Sequence, residues 1–178
     1  MGISVKRCWT NTYSRSADGE AVLRSSVRGY LMSEAMHHLG IPTTRALSLV
    51  ETGEPVLRDM FYDGRAAPEP GAVVCRVAPS FLRFGNFELF ASRQDKDGLM
   101  NLCHYAIKRF FPSIDSKDEQ AYRHFIKDLA KKTFELMLDW QRVGFTHGVM
   151  NTDNMSALGL TMNYIHLIIT HTNECAQV

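Results

Sequence analysis

Gly144-Phe145-Thr146-His147-Gly148-Val149-Met150-Asn151-Thr152-Asp153-Asn154-Met155-Ser156 is the stretch on which the reading of this chain turns. It follows a long amphipathic run and precedes a short apolar one, Ala157 to Met162. Between them a polar loop collects a histidine, two asparagines and an aspartate within eight residues. Asparagine carbonyls and carboxylates are hard oxygen donors, suited to a divalent cation on a nucleotide's phosphates. The same residue types also build Asx turns that satisfy their own backbone. On spacing alone both readings stay open.

His-Gly followed by a loop ending in Asn is the form of a kinase-like catalytic loop. Small-molecule kinases of the aminoglycoside type read His-Gly-Asp-Leu-x-x-x-Asn. Laid on His147-Gly148, that pattern puts its catalytic Asp on Val149 and its metal-binding Asn on Asn154. A valine accepts no proton, and the one acid nearby is Asp153, directly before the Asn. The loop therefore reads as a kinase loop whose carboxylate has moved beside the metal position, which disfavours a small-molecule kinase.

The 178 residues suit one domain or part of a larger one. A hydrophobic content of 45% with 22% charge is that of a globular protein. The net charge of +1 gives no field for nucleic acid or an anionic membrane. Cys8, Cys75, Cys103 and Cys175 are widely spaced, which argues against a zinc site or disulfide framework and fits a reducing interior. No apolar run reaches the ~18 residues of a membrane span, and the first residues lack a signal-peptide core.

Residues 1–16 show no clear periodicity. Apolar residues from Ala21 to Leu39 recur at three- and four-residue steps and predict a helix. Asp18 is its expected N-cap, Gly40 its stop and Pro42 lies just beyond. Gly29 falls inside it at a cost of ~1 kcal/mol against alanine, which raises the question of a close neighbour. Ala46 to Val50 and Val56 to Tyr62 are expected to pair as strands across a Thr52-Gly53-Glu54-Pro55 turn. Asp63 to Gly71 reads as a loop and Ala72 to Val77 as a buried strand. Arg76 and Arg83 near that strand's end suit an anion, or are ordinary surface charges. Leu99 to Phe111 and Ser116 to Val143 read as helices, stopped by Pro112 and Gly144. The second carries Ala121, Phe125, Leu129, Phe134, Leu136, Met137, Leu138 and Trp140 as its core stripe. Ser156 to Met162 is expected to be a short strand. The sum is α+β, strand-rich first and helical later.

Several longer stretches resemble one family, selenoprotein O (also called the YdiU family), the pseudokinase-fold protein adenylyltransferases. They are Tyr13-Ser14-Arg15, Ala17-Asp18-Gly19, Ala21 to Ser26, Ser33 to Met36, Leu39 to Leu47, Pro68 to Ser80, Arg83-Phe84-Gly85 and Gly144 to Leu160. Motifs of this length in one order are far more specific than a short pattern. The resemblance implies a protein-kinase-like fold, here a single partial domain over 1–178. Residues 1–95 match the strand-rich N-lobe, 96–164 the start of the helical lobe with its catalytic loop, and 165–178 form a tail outside the family pattern. It implies transfer of AMP from ATP to Ser, Thr or Tyr hydroxyls of proteins, with Mg2+ or Mn2+ as cofactor. By the same resemblance Asp153 is the base, Asn154 and Asn163 are metal ligands, and Lys6, Arg76 and Arg83 hold phosphates. The implied partners are ATP and hydroxyl-bearing proteins, with no nucleic acid or membrane. The implied compartment is intracellular: mitochondrial in a eukaryote, cytoplasmic in a bacterium.

This chain departs from the family at three of those positions. The family's Lys-Gly-Ala-Gly is here Lys6-Arg7-Cys8-Trp9, so the Lys6 match rests on its spacing from Tyr13. The helix Glu that partners that lysine is Gly29, and the second metal-binding Asp is Asn163. After Tyr164 the match ends. The expectation is a truncated middle segment of a longer member. A second reading therefore stands beside catalysis: a non-catalytic nucleotide-binding pseudokinase fragment, or an inactive truncated product with part of its long helix uncovered.

Overall fold

The computed structural model describes residues 2–6, 19–60, 63–115, 120–164 and 168–169; for 2–6 and 168–169 it describes backbone alone. The chain forms two compact units that divide between Ser80 and Phe81. The expected N-cap Asp18, the strand end at Tyr62 and the helix start at Ser116 lie outside the described residues.

The first unit is an antiparallel three-stranded sheet with a helix. β1 (Gly2–Lys6), β2 (Arg45–Arg58) and β3 (Ala67–Ala78) lie in the order β1-β3-β2, so the buried-type run at 72–77 takes the central place. α1 spans Leu23–His38. Its end is a Schellman motif: Gly40 N–H donates to the His37 carbonyl (3.0 Å) and Ile41 N–H to the Met36 carbonyl (2.9 Å). Gly40 holds φ +78°, a conformation only glycine adopts without strain, and it ends the helix where its residue type predicts. Val22, Met36, Ile41, Val56, Ala72, Val74 and Ala78 are buried in this unit.

Two strand expectations are corrected. Ala46–Val50 and Val56–Arg58 do not pair with each other, because both belong to one strand, β2, whose partner is β3. The Thr52–Pro55 segment is an irregularity in that strand: the register passes from Glu51 opposite Ala72 to Pro55 opposite Pro70. Gly71 makes room for it, since a Cβ there would lie 2.6 Å from Thr52 Oγ1 and 2.9 Å from the Glu54 carbonyl. The expected loop at 63–71 is accordingly shorter, and β3 begins at Ala67. Among the described residues β1 pairs with 74–78 alone, so Pro68 and Pro70 lie where β3 is paired with β2 only. Gly29, by contrast, has no close neighbour: nothing lies within 4 Å of a Cβ built there.

The second unit is helical. α2 (Phe84–Ser92), which the sequence did not suggest, precedes α3 (Lys96–Phe110) and the 22-residue α4 (Ala121–Arg142). Asp95 caps α3 by accepting from Gly98 N–H at 2.9 Å. Ala106, Ile107, Phe111, Ile114, Ala121 and Phe125 form a core, with Phe111 edge-on to Phe125 at 5.0 Å. On α4, Ala121, Phe125, Leu136 and Trp140 are buried, but Phe134 (61% exposed) and Leu138 (49%) are not core. With Ile126 and Ala130 these two make a second apolar ridge, four residues apart, that faces solvent. Gly144, at φ +68°, ends α4 as expected. β4 (Phe145–Thr146) then pairs with β5 (Ile168–Ile169). The expected strand at 156–162 is instead a turn closed by a Met155–Thr161 bridge, with Gly159 at φ +68°, where an added Cβ would lie 3.0 Å from Lys132 Cβ.

Candidate active site

The loop after α4 is fixed at its start by an aromatic stack. Trp140, near the end of α4, donates its indole N–H to Thr161 Oγ1 at 2.8 Å and lies against His147, ring centres 5.0 Å apart and 25° from parallel. His147 is buried, and its Nδ1 accepts from Val149 N–H at 3.4 Å. His147 is therefore a structural post on which the loop turns, with Gly148 at φ +79° making the turn.

The segment 82–85 zips along the far side of the loop. Phe84 N–H donates to the Met155 carbonyl (3.1 Å), Gly85 N–H to the Thr152 carbonyl (2.9 Å), and Ala157 N–H to the Leu82 carbonyl (2.9 Å). Asn86 Oδ1 accepts from Arg83 N–H at 2.8 Å, the back-reaching half of a capping box on α2. This places Arg83, half-buried, so that its guanidinium donates to the Asp153 carbonyl at 2.8 Å. The phosphate-type arginine and the candidate base thus meet at the Asp153 backbone carbonyl. Gly85 leaves room for the carboxylate here: a Cβ would fall 2.6 Å from Asp153 Oδ1. Asp153 itself is exposed. Thr152 adds a further tie by donating its hydroxyl to Glu88 of α2.

Asn154 and Asn163 meet directly. Asn163 Nδ2 donates to Asn154 Oδ1 at 2.6 Å, while Asn154 Nδ2 donates to the Val149 carbonyl at 3.2 Å. The resemblance puts a divalent cation between these two residues, and the donor set does not fit one. A hard dication takes oxygens and prefers anionic ones. Here one candidate oxygen already accepts a hydrogen bond and the other side chain offers an N–H. Among the described residues no group of three or more His, Cys, Asp or Glu side chains could hold a metal.

Arg76 and Lys6 belong to the first unit. Arg76 is on the central strand β3, paired with Ser4, and donates to the hydroxyl of the fully buried Thr44. Lys6 is on β1 opposite Val74, two register positions along, and its backbone alone is described. In the same unit Arg45 grips Glu34 of α1 through two nitrogens at 2.9 and 2.7 Å, and Ala46 N–H adds a third bond at 2.9 Å. The Arg45 hydrogen bond chiefly holds the Glu34 carboxyl at about 2, from an ordinary 4.5. Sequence reasoning missed Thr44, Gly85, Asn86, Glu88 and the Trp140–Thr161 pair. Gly85 and Thr44 carried a signal as members of the matched stretches Arg83-Phe84-Gly85 and Leu39 to Leu47, and Trp140 as a member of the long helix's core stripe.

Comparison with known proteins identifies a family. The family profile described as Protein adenylyltransferase SelO matches residues 2–166. A protein nucleotidyltransferase YdiU of Xylella fastidiosa (strain Temecula1) is 59% identical over 162 residues, 91% of this chain and 31% of its own length. Proteins of the same name from Cytophaga hutchinsonii (57% over 162 residues, 91% and 31%) and Methylobacillus flagellatus (58% over 163 residues, 91% and 32%) are similar. The chain spans about a third of the length of the curated relatives it matches. Among the described residues no helix is long and apolar enough to cross a membrane. The matched stretch includes both Arg83 and the whole 144–164 loop, and on that ground the chain belongs to the SelO family of protein adenylyltransferases.

Proposed function

We propose that this chain carries the nucleotide-handling part of a kinase-like protein adenylyltransferase, with Asp153 as the base and Arg83 as a phosphate ligand. In the proposed reaction a protein Ser, Thr or Tyr hydroxyl loses its proton to the Asp153 carboxylate. Its oxygen forms a bond to the α-phosphorus of ATP, the bond from that phosphorus to the β-phosphate bridge breaks, and pyrophosphate leaves with the electron pair. Arg83 acts by charge: a guanidinium fork beside the loop stabilises oxyanions that gain charge in the transition state. Arg76, held by Thr44, and Lys6 are proposed as phosphate ligands of the first unit. The observation that carries this reading is the Arg83 hydrogen bond to the Asp153 carbonyl, which fixes cation and base to one loop.

A second reading is nucleotide holding without turnover, and the Asn163–Asn154 hydrogen bond favours it. It removes the oxygen pair that a cation would use, so in this unit the charge on the phosphates falls to Arg83. One experiment separates the readings. Purified chain is given ATP labelled at the α-phosphate, with and without Mg2+ or Mn2+, and both protein labelling and melting temperature are followed. Labelling of protein that Asp153→Ala abolishes supports transfer. Stabilisation by ATP without label, lost in Arg83→Ala, supports holding. Neither label nor stabilisation overturns both.

A further inference from the structure

We propose that the Asn163 amide stands in this chain where a divalent cation would, as a neutral latch that holds the 149–154 loop to the 163 backbone without metal. The claim concerns the loop itself and holds whether or not a nucleotide binds.

The orientation of both amides is set by their other ends. The Val149 carbonyl can only accept, so Asn154 must turn Nδ2 toward it (3.2 Å) and Oδ1 away. The Tyr164 backbone N–H can only donate, so Asn163 must turn Oδ1 toward it (3.1 Å) and Nδ2 away. The two remaining atoms, an N–H donor and a carbonyl acceptor, then face each other at 2.6 Å. Rotating either amide by half a turn would break its backbone bond and set like against like. Both side chains are partly buried, where an unmade bond is costly. The backbone around the latch is fixed independently, by Asn154 N–H to the Asn151 carbonyl (3.0 Å) and by the Met155–Thr161 bridge.

A carboxylate at 163 would reverse the chemistry while keeping the shape. Two acceptors would face each other near hydrogen-bond distance, an arrangement that needs a proton or a cation between them. The amide removes that need, and with it the site's affinity for a dication. Asn163 is thus a residue that trades metal dependence for a fixed loop.

The test compares wild type with Asn163→Asp by melting temperature in chelator, in Mg2+ and in Mn2+, and by Mn2+ electron paramagnetic resonance. Wild type is expected to melt at one temperature in all three and to leave the Mn2+ spectrum that of the free ion. Asn163→Asp is expected to melt lower in chelator near neutral pH and to regain about 5 °C or more with Mn2+. It is also expected to regain stability toward pH 4, because the introduced carboxyl, once protonated, is again a donor. A carboxyl whose folded-state pKa is raised contributes below its unfolded value and loses that contribution as pH rises through the folded one. Should Asn163→Asp not fold, Asn163→Ala serves, with a loss of stability that no cation restores. Wild type that binds Mn2+ stoichiometrically, or that gains as much from it as Asn163→Asp does, overturns the proposal.

Discussion

Glu34–Arg45 in the first unit and Asn154–Asn163 in the second are both side-chain clasps between neighbouring segments, and they are made of opposite materials. The first is a charged fork: a carboxylate on α1 takes two guanidinium N–H groups and one backbone N–H at the start of β2. The second is a single neutral bond at 2.6 Å between two amides. A charged clasp at partial exposure is weakened by salt and by acid. A neutral clasp has nothing to titrate and nothing for a counterion to screen. The same fold therefore holds one of its units by a condition-dependent contact and the loop of its candidate site by a condition-independent one.

The most damaging way to break this contrast is Asn163→Asp, which makes the neutral clasp ionic. In chelator near neutral pH it is expected to cost about 1–3 kcal/mol in urea unfolding, the cost of leaving a partly buried acceptor facing a charge. Gly85→Ala comes next, at about 1 kcal/mol, since the new methyl must push the Asp153 carboxylate aside. Its sharper readout is α-phosphate labelling or ATP stabilisation, whichever wild type shows, which is expected to fall more than stability does. Gly29→Ala is expected to stabilise the first unit by about 0.5–1 kcal/mol, because the helix site is open and alanine restricts the unfolded chain. The smallest effect near neutral pH belongs to Glu34→Gln. The Glu34 carboxyl is held at about 2 against 4.5, so its contribution is present above pH 4.5 and lost as pH falls toward 2. Wild type and Glu34→Gln should therefore differ near pH 6 and converge in acid, followed by thermal melts across that range.

What the sequence could and could not show follows from the same physics. Helix ends were legible because Gly40 and Gly144 take a backbone conformation that few other residues accept. The β2 irregularity was not, because a Gly-Glu-Pro sequence serves a hairpin turn and a strand bulge equally well, and only Gly71 on the partner strand decides between them. α2 escaped notice because it is only nine residues long and carries Leu89 on the face opposite Phe84, Phe87, Phe90 and Ala91, which blurs the stripe. On α4 two apolar ridges share one helix, and residue type alone does not say that Leu136 is covered and Phe134 is not. In the site, the loop's chemistry was legible as Asp153 beside Asn154, and Asn163 stood out as an amide in an acid's place. That this amide turns its N–H toward Asn154 depends on a carbonyl at 149 and an N–H at 164, which no motif encodes.

The most direct test of the account follows the two side-chain amides themselves. In a proton–nitrogen NMR spectrum of isotope-labelled wild type, the Asn154 and Asn163 NH2 signals are recorded while Mn2+ is added. The account predicts that both stay sharp, because a hydrogen bond already fills the position a cation would take. Selective broadening of those two pairs at low Mn2+ would place the ion between them and contradict it.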